Sequence, residues 1–517
     1  MSSRPVTERM AIRFSATLAA NLIRVGLSFV SGVLVARGLG VSGYGDLNFL
    51  MGSFAAISHL LEMGTSSAFY TFISQRQRSR RFMALYLAWL AGQFVVTAVV
   101  VGLLLPAGTI ARIWVGQARG MVLLAFAASF LMTQAWAMVD QLGEATRRTV
   151  LMQVAAVIQG VAHLVLVVAA VSWRWLTVPA VLWMLIVEHA LLALAFGPRL
   201  VRANVAAHAD GDERVQGMVK EFAAYCQPLV VYGWVGMVYA FADRWLLQQF
   251  GGAIQQGFFA VGQQFANVSL IATTSLLSVL WKELAEARQR QDQPRMERLY
   301  TVVRRGLYAT GAWISCLCIP YSREILRWTV GATYESAWMC LSLMLLVPIH
   351  QSLGQIQATY FYASGNTKTY TRLSMLIMGV SLPATYIILA PRSAFLPGLG
   401  LGAVGLAAKL VMVQMVGVSL QAHVIAKANG WAYDYNHQAT VLGSLWCLGW
   451  TCKWIAQWVL GGTAAAGSLE VVGLGGGMYG MLSFMLLCCA PSVVGVTREQ
   501  IQEILASLIG WARQPSA

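Results

Sequence analysis

The chain has 517 residues, of which 58% are hydrophobic and 11% are charged, and its mean hydropathy is +0.63. This composition excludes a soluble multidomain protein and indicates a polytopic membrane protein. The net charge of +15 is explained by membrane topology and contact with anionic lipids, so no nucleic-acid partner is expected.

Apolar runs of about 20 residues, the length of a membrane-spanning helix, recur along the chain between short polar segments. The short alternating segments of an outer-membrane barrel are not found. The predicted fold class is therefore all-α, with about 14 transmembrane helices. They are placed at residues 14–36, 46–71, 82–105, 119–140, 149–171, 175–197, 224–249, 256–281, 302–321, 336–362, 370–390, 396–421, 439–460 and 471–491.

The basic residues fix the orientation of these helices. With the N-terminus in the cytoplasm, "RQRSRR" at 76–81 and the basic residues of 199–220 fall in inside loops. The asymmetry persists along the chain, which predicts that both termini are cytoplasmic.

The sequence predicts two six-helix lobes and a C-terminal extension. "LVARGLGVSGYGDLNFLMGSF" at Leu34 and "LLQQFGGAIQQGFFAVGQQFA" at Leu246 align without gaps, pairing Gly40 with Gly252 and Gly45 with Gly257. An even number of helices per half gives a parallel repeat, with both halves in one orientation. The predicted organisation is an N-lobe at 1–197, a cytoplasmic linker at 198–223, a C-lobe at 224–421, two further helices within 422–492, and an interfacial amphipathic helix at 493–517.

The first predicted helix carries an arginine in its middle. Thr17, Asn21, Arg24, Ser28 and Ser31 recur at spacings of three and four, so they share one face. A charge at the bilayer centre costs at least about 2.5 to 3.5 kcal/mol and therefore faces a partner or a water-filled cavity. Arg24 is expected either to line a cavity or to form a buried ion pair between helices.

The second predicted helix offers acidic and titratable partners on one face. Glu62 is the expected electrostatic partner of Arg24, and the histidine His59 beside it is a candidate for proton coupling. Proton coupling through these residues and a plain ion pair both fit the pattern.

Later helices supply further candidates. Asp243 and the adjacent Arg244 lie near the end of the seventh helix, and Arg305 lies at the cytoplasmic mouth of the ninth, where either topology or a phosphate contact explains it. Lys409 lies mid-span in the twelfth helix, too deep to snorkel. Four amides are candidates for sugar contacts, with helix–helix hydrogen bonding as the equal alternative: Gln263, Asn267, Gln351 and Gln355.

No arrangement for covalent chemistry is present. The sequence lacks a P-loop, GxSxG, HExxH and any large hydrophilic loop, so neither an enzyme activity nor a metal or other cofactor is expected. Coupling to a H⁺ or Na⁺ gradient stays open.

Several segments together resemble the Wzx-type, polysaccharide-export branch of the multidrug/oligosaccharidyl-lipid/polysaccharide superfamily. They are "VLVARGLGVSGYGDLNFL", "LLEMGTSSAFY", "FADRWLLQQFGGAIQQGFFAVGQQF", "VGATYESA" with "YASGNTKTY", and "GLGLGAVGLAAK". The resemblance runs from about residue 12 to residue 425 and implies two lobes around a central cavity with alternating access. It implies a flippase of polyprenyl-diphosphate-linked oligosaccharides in the bacterial inner membrane, with a polymerase and glycosyltransferases of the same pathway as partners.

The resemblance also assigns roles to the cationic residues. Related lipid II flippases carry a cavity arginine in the first helix, and Arg24 matches it by its place in the span, without a motif that aligns it. A diphosphate would bind the cations Arg24, Arg244, Arg305 and Lys409, while the amides and Asn21 would face the sugars.

Three alternatives remain open at this point. A drug or cation antiporter of the same superfamily would place an acidic residue in the first helix, where this sequence has Arg24. A membrane glycosyltransferase or polymerase would carry a sizeable periplasmic loop. A non-catalytic membrane assembly protein is the third.

Overall fold

The computed structural model describes residues 6–205, 214–269, 280, 283–431, 435–460 and 469–489, with side chains from residue 20 onward. Secondary structure in these ranges is helical, apart from an isolated bridge between Arg78 and Val205. The predicted all-α fold class is confirmed. The C-terminal amphipathic helix predicted at 493–517 lies outside the described residues.

The first nine helices are α1 (Val6–Glu62), α2 (Thr65–Gln75), α3 (Arg80–Val99), α4 (Ala107–Ile113), α5 (Arg119–Phe130), α6 (Trp136–Ala145), α7 (Thr149–Ser172), α8 (Val178–Asn204) and α9 (Val215–Ser269). The others are α10 (Gln293–Cys318), α11 (Ser322–Thr329), α12 (Trp338–Met344), α13 (Val347–Ala363), α14 (Thr367–Leu389), α15 (Gly402–Asn429), α16 (Tyr435–Val459) and α17 (Leu469–Cys489). Single π-turns at Val100–Leu104 and Leu131–Ala135 follow α3 and α5.

The membrane spans follow from helix length and composition. Within the described ranges, nine helical stretches are long and apolar enough to cross a membrane: Ala20–Glu62, Arg80–Leu104, Arg119–Ala145, Thr149–Ser172, Val178–Asn204, Ala332–Ala363, Thr367–Leu389, Gly402–Asn429 and Leu469–Cys488. The remaining predicted spans overlap α9, α10 and α16. The chain is a multi-pass membrane protein.

Two long helices are each interrupted by one glycine. At 57 residues α1 would measure about 85 Å if straight, far more than the hydrocarbon core of about 30 Å. Its backbone leaves the helical conformation at Gly40, and that of α9 does so at Gly252. Both have a positive φ with an extended ψ, a conformation that only glycine adopts without strain. Each glycine thus separates two predicted spans.

Gly45 and Gly257, the second glycine pair of the alignment, lie where α1 and α9 approach each other closely. A Cβ on Gly45 would collide with the carbonyl oxygen of Ala253, and a Cβ on Gly257 would collide with that of Val41. The contact is reciprocal, because the alignment pairs Val41 with Ala253 as it pairs Gly45 with Gly257. Both glycine pairs of the predicted repeat therefore coincide with matching backbone features.

Contacts between Cα atoms divide the chain into two compact units. Unit 1 comprises residues 1–260 and 378–406, and unit 2 comprises residues 261–377 and 407–517. Residues 214–260 thus group with the N-terminal segment, whereas the alignment groups them with the second half. The predicted lobe boundaries stay a prediction.

The region predicted as a linker at 198–223 is largely helical in its described part. Helix α8 continues through Pro198 to Asn204, and α9 begins at Val215. A proline removes one backbone hydrogen bond, and the neighbouring bonds continue the helix.

Unit 2 has an apolar core to which the last two helices, α16 and α17, contribute side chains. Residues of α10 and α13 pack with α16 and α17, including Cys316, Ile349, Cys452 and Tyr479, each at most 1% exposed. Lys453 of α16 donates to the carbonyl of Pro320 and to Glu324, both at 2.6 Å. The two C-terminal helices are therefore tied to unit 2 by apolar packing and by an ion pair.

Candidate functional site

Arg24 lies beside a set of polar side chains in unit 1. Its guanidinium is exposed on α1 and interacts electrostatically with Asp140 of α6. One turn along α6, Glu144 interacts with Asp140 and accepts a hydrogen bond from Tyr70 of α2. We call Arg24, Tyr70, Asp140 and Glu144 the N-terminal polar cluster. The exposed Arg24 thus interacts with one partly buried carboxylate, Asp140, which interacts in turn with a second one, Glu144.

The structure gives Arg24 and Glu62 different electrostatic neighbours, and their expected pairing stays a prediction. The carboxylate that interacts with Arg24 is Asp140, whereas Glu62 interacts with His59, three residues earlier on α1. His59 is exposed and Glu62 is partly buried.

Neutral polar groups connect the same helices. Gln141 of α6 donates to the hydroxyl of Ser66 of α2 at 2.7 Å, and Ser66 is hydrogen-bonded to Tyr86 of α3. Thr71 of α2 lies 3.3 Å from the hydroxyl of Tyr225 of α9. Asn21, one turn before Arg24, is partly buried. These contacts fix the positions of α2 and α6, which carry the acidic residues.

Arg244 lies in a different environment from that of Arg24. Its Nη1 is 3.4 Å from the carbonyl oxygen of Asn48, and its guanidinium occupies the space that a side chain on Gly52 would fill. The neighbouring Asp243 accepts a hydrogen bond from Thr385 at 2.7 Å and interacts electrostatically with Arg244. In this conformation both predicted site residues take part in helix packing within unit 1.

A second set of polar contacts lies near the Gly40 break. Asp46 Oδ1 accepts hydrogen bonds from Gln117 at 2.9 Å and from Gln248 at 3.1 Å. Trp245 of α9 donates to the carbonyl of Arg112 at 3.3 Å. These bonds join the break to the α4–α5 connection and to α9.

The predicted site residues of unit 2 differ in accessibility. Lys409 is 1% exposed, so its buried ammonium is not presented on an open surface. Arg305 is partly buried, and the neighbouring Arg304 stacks over the ring of Tyr300. Gln263, Gln351 and Gln355 are partly buried and Asn267 is exposed. The buried Gln357, which the sequence argument passed over, donates to the carbonyl of Val418 at 2.8 Å.

Two apolar cavities open on the described surface. One, of about 310 Å³ in unit 2, lies between α10, α16 and α17. Its lining is apolar apart from groups such as Thr310 and Ser483, the latter accepting a hydrogen bond from Trp313. The other, of about 260 Å³ in unit 1, is bounded by α3, by the start of α9 and by the connection between α1 and α2.

Sequence reasoning missed several ionisable residues. Asp140 is the last residue of a predicted span, and Glu144 lies one turn beyond it. His163 and Glu188 lie within the predicted spans 149–171 and 175–197. The criterion that singled out Arg24, an ionisable group inside a span, finds Asp140, His163 and Glu188 when it is applied to every helix.

Solved structures with the same fold are membrane transporters and flippases. The chain is similar to a structure of the lipid II flippase MurJ in an inward-closed conformation, with a TM-score of 0.67, 12% identity, and coverage of 92% of this chain and 99% of that one. It is also similar to an inward-facing multidrug-resistance MATE family transporter of the MOP superfamily, with a TM-score of 0.56, 13% identity, and coverage of 81% and 100%. A MOP superfamily transporter from Pyrococcus furiosus gives a TM-score of 0.54, 12% identity, and coverage of 81% and 96%. The fold is thus that of the MOP transporters.

The sequence itself identifies the family. The model of the polysaccharide biosynthesis protein family matches residues 13–281, just over half of the chain. A comparison with curated proteins gives no significant match. The chain belongs to the polysaccharide biosynthesis protein family.

Proposed function

We propose that the chain is a flippase that moves a polyprenyl-diphosphate-linked oligosaccharide from the cytoplasmic to the periplasmic leaflet of a bacterial inner membrane, by alternating access and with both termini cytoplasmic. The observation that carries the proposal is the accessible Arg24, on an apolar helix of a chain that belongs to a polysaccharide biosynthesis family.

The chemistry of Arg24 suits a diphosphate. A guanidinium presents a rigid fork of donors that binds phosphate oxygens bidentately, and its charge persists at all physiological pH values. Asp140 interacts electrostatically with Arg24. An arriving diphosphate competes with that carboxylate for the arginine, so binding exchanges one anionic partner for another.

The apolar cavity of unit 2 suits the lipid part of such a substrate. Its apolar walls between α10, α16 and α17 favour an isoprenyl chain over a sugar. The sugars would contact amides such as Gln351 and Gln355. Arg305 would meet the diphosphate at the cytoplasmic mouth, whereas the packed Arg244 and the buried Lys409 would require a change of conformation.

The proposal is tested by flipping assays in vesicles that contain purified protein and a fluorescent polyprenyl-diphosphate oligosaccharide. Arg24→Ala is expected to abolish flipping while leaving the protein inserted and folded. Arg37→Ala is the matched control, because Arg37 is an exposed arginine on the same helix and is expected to retain wild-type flipping. Wild-type rates in the Arg24→Ala variant would refute the role of Arg24.

A second candidate is a cation antiporter, favoured by the carboxylates of Glu62, Asp140 and Glu144 in unit 1. Such a protein would bind a cationic substrate through these acids, and Arg24 would oppose it by charge repulsion. Transport of an organic cation that increases in Arg24→Ala and is lost in Asp140→Asn would select this function over the flippase.

A further inference from the structure

Helices α7 and α8 share a buried polar contact outside the site described above. His163 Nδ1 lies 2.9 Å from Glu188 Oε1 and 3.1 Å from Oε2, and Gln159 Nε2 donates to Glu188 Oε2 at 3.0 Å. The side chains of His163 and Glu188 are 17% and 7% exposed. We call Gln159, His163 and Glu188 the α7–α8 triad.

The position of the triad makes an ionisable pair costly. Both helices are long and apolar enough to span a membrane. The residues on either side of the triad are apolar and exposed, as at Val165 on α7 and Leu191 on α8. An uncompensated charge inside a span is costly, and the pairing of His163 with Glu188 lets the two groups balance each other's charge. A leucine pair would pack the two helices without that cost.

The chemistry of the triad is that of a site for one proton. With a proton on each ring nitrogen, His163 is a cation that neutralises the Glu188 carboxylate, and the site has no net charge. When one proton leaves, a neutral imidazole and a carboxylate remain, and Gln159 still donates to that carboxylate. Histidine is the side chain whose charge changes in the physiological pH range. We propose that the α7–α8 triad binds one proton and couples transport to a proton gradient.

The triad lies next to the contact between α7 and α1, the helix that carries Arg24. Gly160, next to Gln159, packs on α1, where a Cβ on the glycine would lie 3.2 Å from Leu27. Leu27 is one helical turn from Arg24. A change of charge between α7 and α8 therefore acts on the packing of α1 at the level of the proposed diphosphate contact.

Further titratable and charged groups lie on the helices that surround the triad. Helix α7 packs against α1, α6 and α8, and α8 also packs against α5 and the following π-turn. His163 is the only ionisable side chain of α7, and His189 of α8 interacts electrostatically with Glu188 and His163 while its Nδ1 contacts the carbonyl of Leu185. Among the side chains that the structure describes on these elements, the remaining titratable or charged ones are Arg24, Arg37, Tyr44, Asp46, His59 and Glu62 of α1, Arg119 of α5, Asp140 and Glu144 of α6, and Arg199 and Arg202 of α8. Arg119 donates to the carbonyls of Gly102 and Leu105.

The first test measures proton binding without substrate. Infrared difference spectra of the purified protein after a pH jump are expected to show a histidine protonation signal that is lost in His163→Gln. The signal is also lost in Glu188→Gln, because the charged ring then lacks its carboxylate. His423→Gln, which removes an exposed histidine of α15, is the matched control and keeps the signal. A signal that survives in both triad variants would overturn the proton site.

The second test measures coupling and rests on the proposed flippase function. With one proton coupled to each substrate, a gradient of one pH unit is expected to shift the ratio of substrate between the leaflets about tenfold. Glu188→Gln is expected to flip substrate with no response to the gradient, while His423→Gln responds as the wild type does. An unchanged response in Glu188→Gln would overturn the coupling.

The flippase proposal and the proton-site proposal can be refuted independently of each other. Wild-type vesicles that move none of the polyprenyl-linked substrate would refute the flippase assignment. The infrared signal then decides the triad independently, since proton binding does not depend on the cargo.

Discussion

Gly40 and Gly252 have the same unusual backbone conformation, with φ 69° and ψ 177° at the first and φ 71° and ψ −178° at the second. They are 212 positions apart in the ungapped alignment, and each interrupts a helix of more than 50 residues. Two chain segments of different sequence therefore make the same turn between helices.

Replacing either glycine with alanine is expected to lower the free energy of unfolding by about 1 to 3 kcal/mol, because a Cβ strains this backbone conformation. Thermal stability of the purified variants in detergent measures the effect. Gly26→Ala, in an open stretch of α1 with nothing within 4 Å of the added Cβ, is the control and is expected to leave stability equal or higher. Equal stability of Gly26→Ala and Gly252→Ala would contradict the strain argument.

The Arg24–Asp140 relationship predicts an energetic coupling that Glu62 does not share. A double-mutant cycle between Arg24→Ala and Asp140→Asn, read out as thermal stability, is expected to give an interaction energy of about 0.5 to 3 kcal/mol. The same cycle with Glu62→Gln is expected to be additive, since Glu62 interacts with His59. A larger coupling with Glu62 than with Asp140 would restore the pairing expected from sequence.

Arg78 anchors the connection between α2 and α3. Its guanidinium donates to both carboxylate oxygens of Glu221 at 3.0 and 2.7 Å and stacks between the rings of Phe72 and Phe82. Arg78 is 1% exposed, and its backbone pairs with Val205. This residue thus joins the ends of four helices, α2, α3, α8 and α9.

Glu221→Ala is expected to lower the free energy of unfolding by about 2 to 4 kcal/mol, because it leaves a buried arginine without its carboxylate. The matched control is Glu286→Ala, which removes an exposed pair with Arg290 and is expected to cost less than about 1 kcal/mol. Chemical denaturation in mixed micelles compares the two. Similar losses in both variants would show that burial of Arg78 is not the cause.

We expect that Lys453 and Glu324 can be replaced together with little loss of stability, whereas replacing one of them alone destabilises the protein. Lys453→Met alone leaves Glu324, which is 7% exposed, without its cation, and is expected to cost about 3 to 5 kcal/mol. Adding Glu324→Leu is expected to recover most of that loss, since buried pairs can be replaced by apolar residues of similar volume. Thermal stability checks both variants, and a double variant as unstable as the single one would contradict the argument.

The tryptophans of α16 test whether that helix spans the bilayer. Trp446, Trp450, Trp454 and Trp458 recur every four residues and are 37%, 42%, 67% and 74% exposed. In single-tryptophan variants of the reconstituted protein, quenching by lipids brominated at different depths is expected to change steadily along this series, by about 6 Å per step. A single quenching depth for all four would mean that α16 lies parallel to the membrane.

The sequence alone determined the membrane class, the all-α fold and the paired glycines, because apolar length and glycine placement are local properties of the chain. It also singled out Arg24, since a charge inside an apolar span is visible without a structure. Its electrostatic neighbour depended on the tertiary structure, because Asp140 approaches Arg24 from α6, more than 100 positions along the chain. Helix packing likewise determined that His163 contacts Glu188 and that Arg78 contacts Glu221. The sequence shows several polar faces, and only packing decides which of them meet.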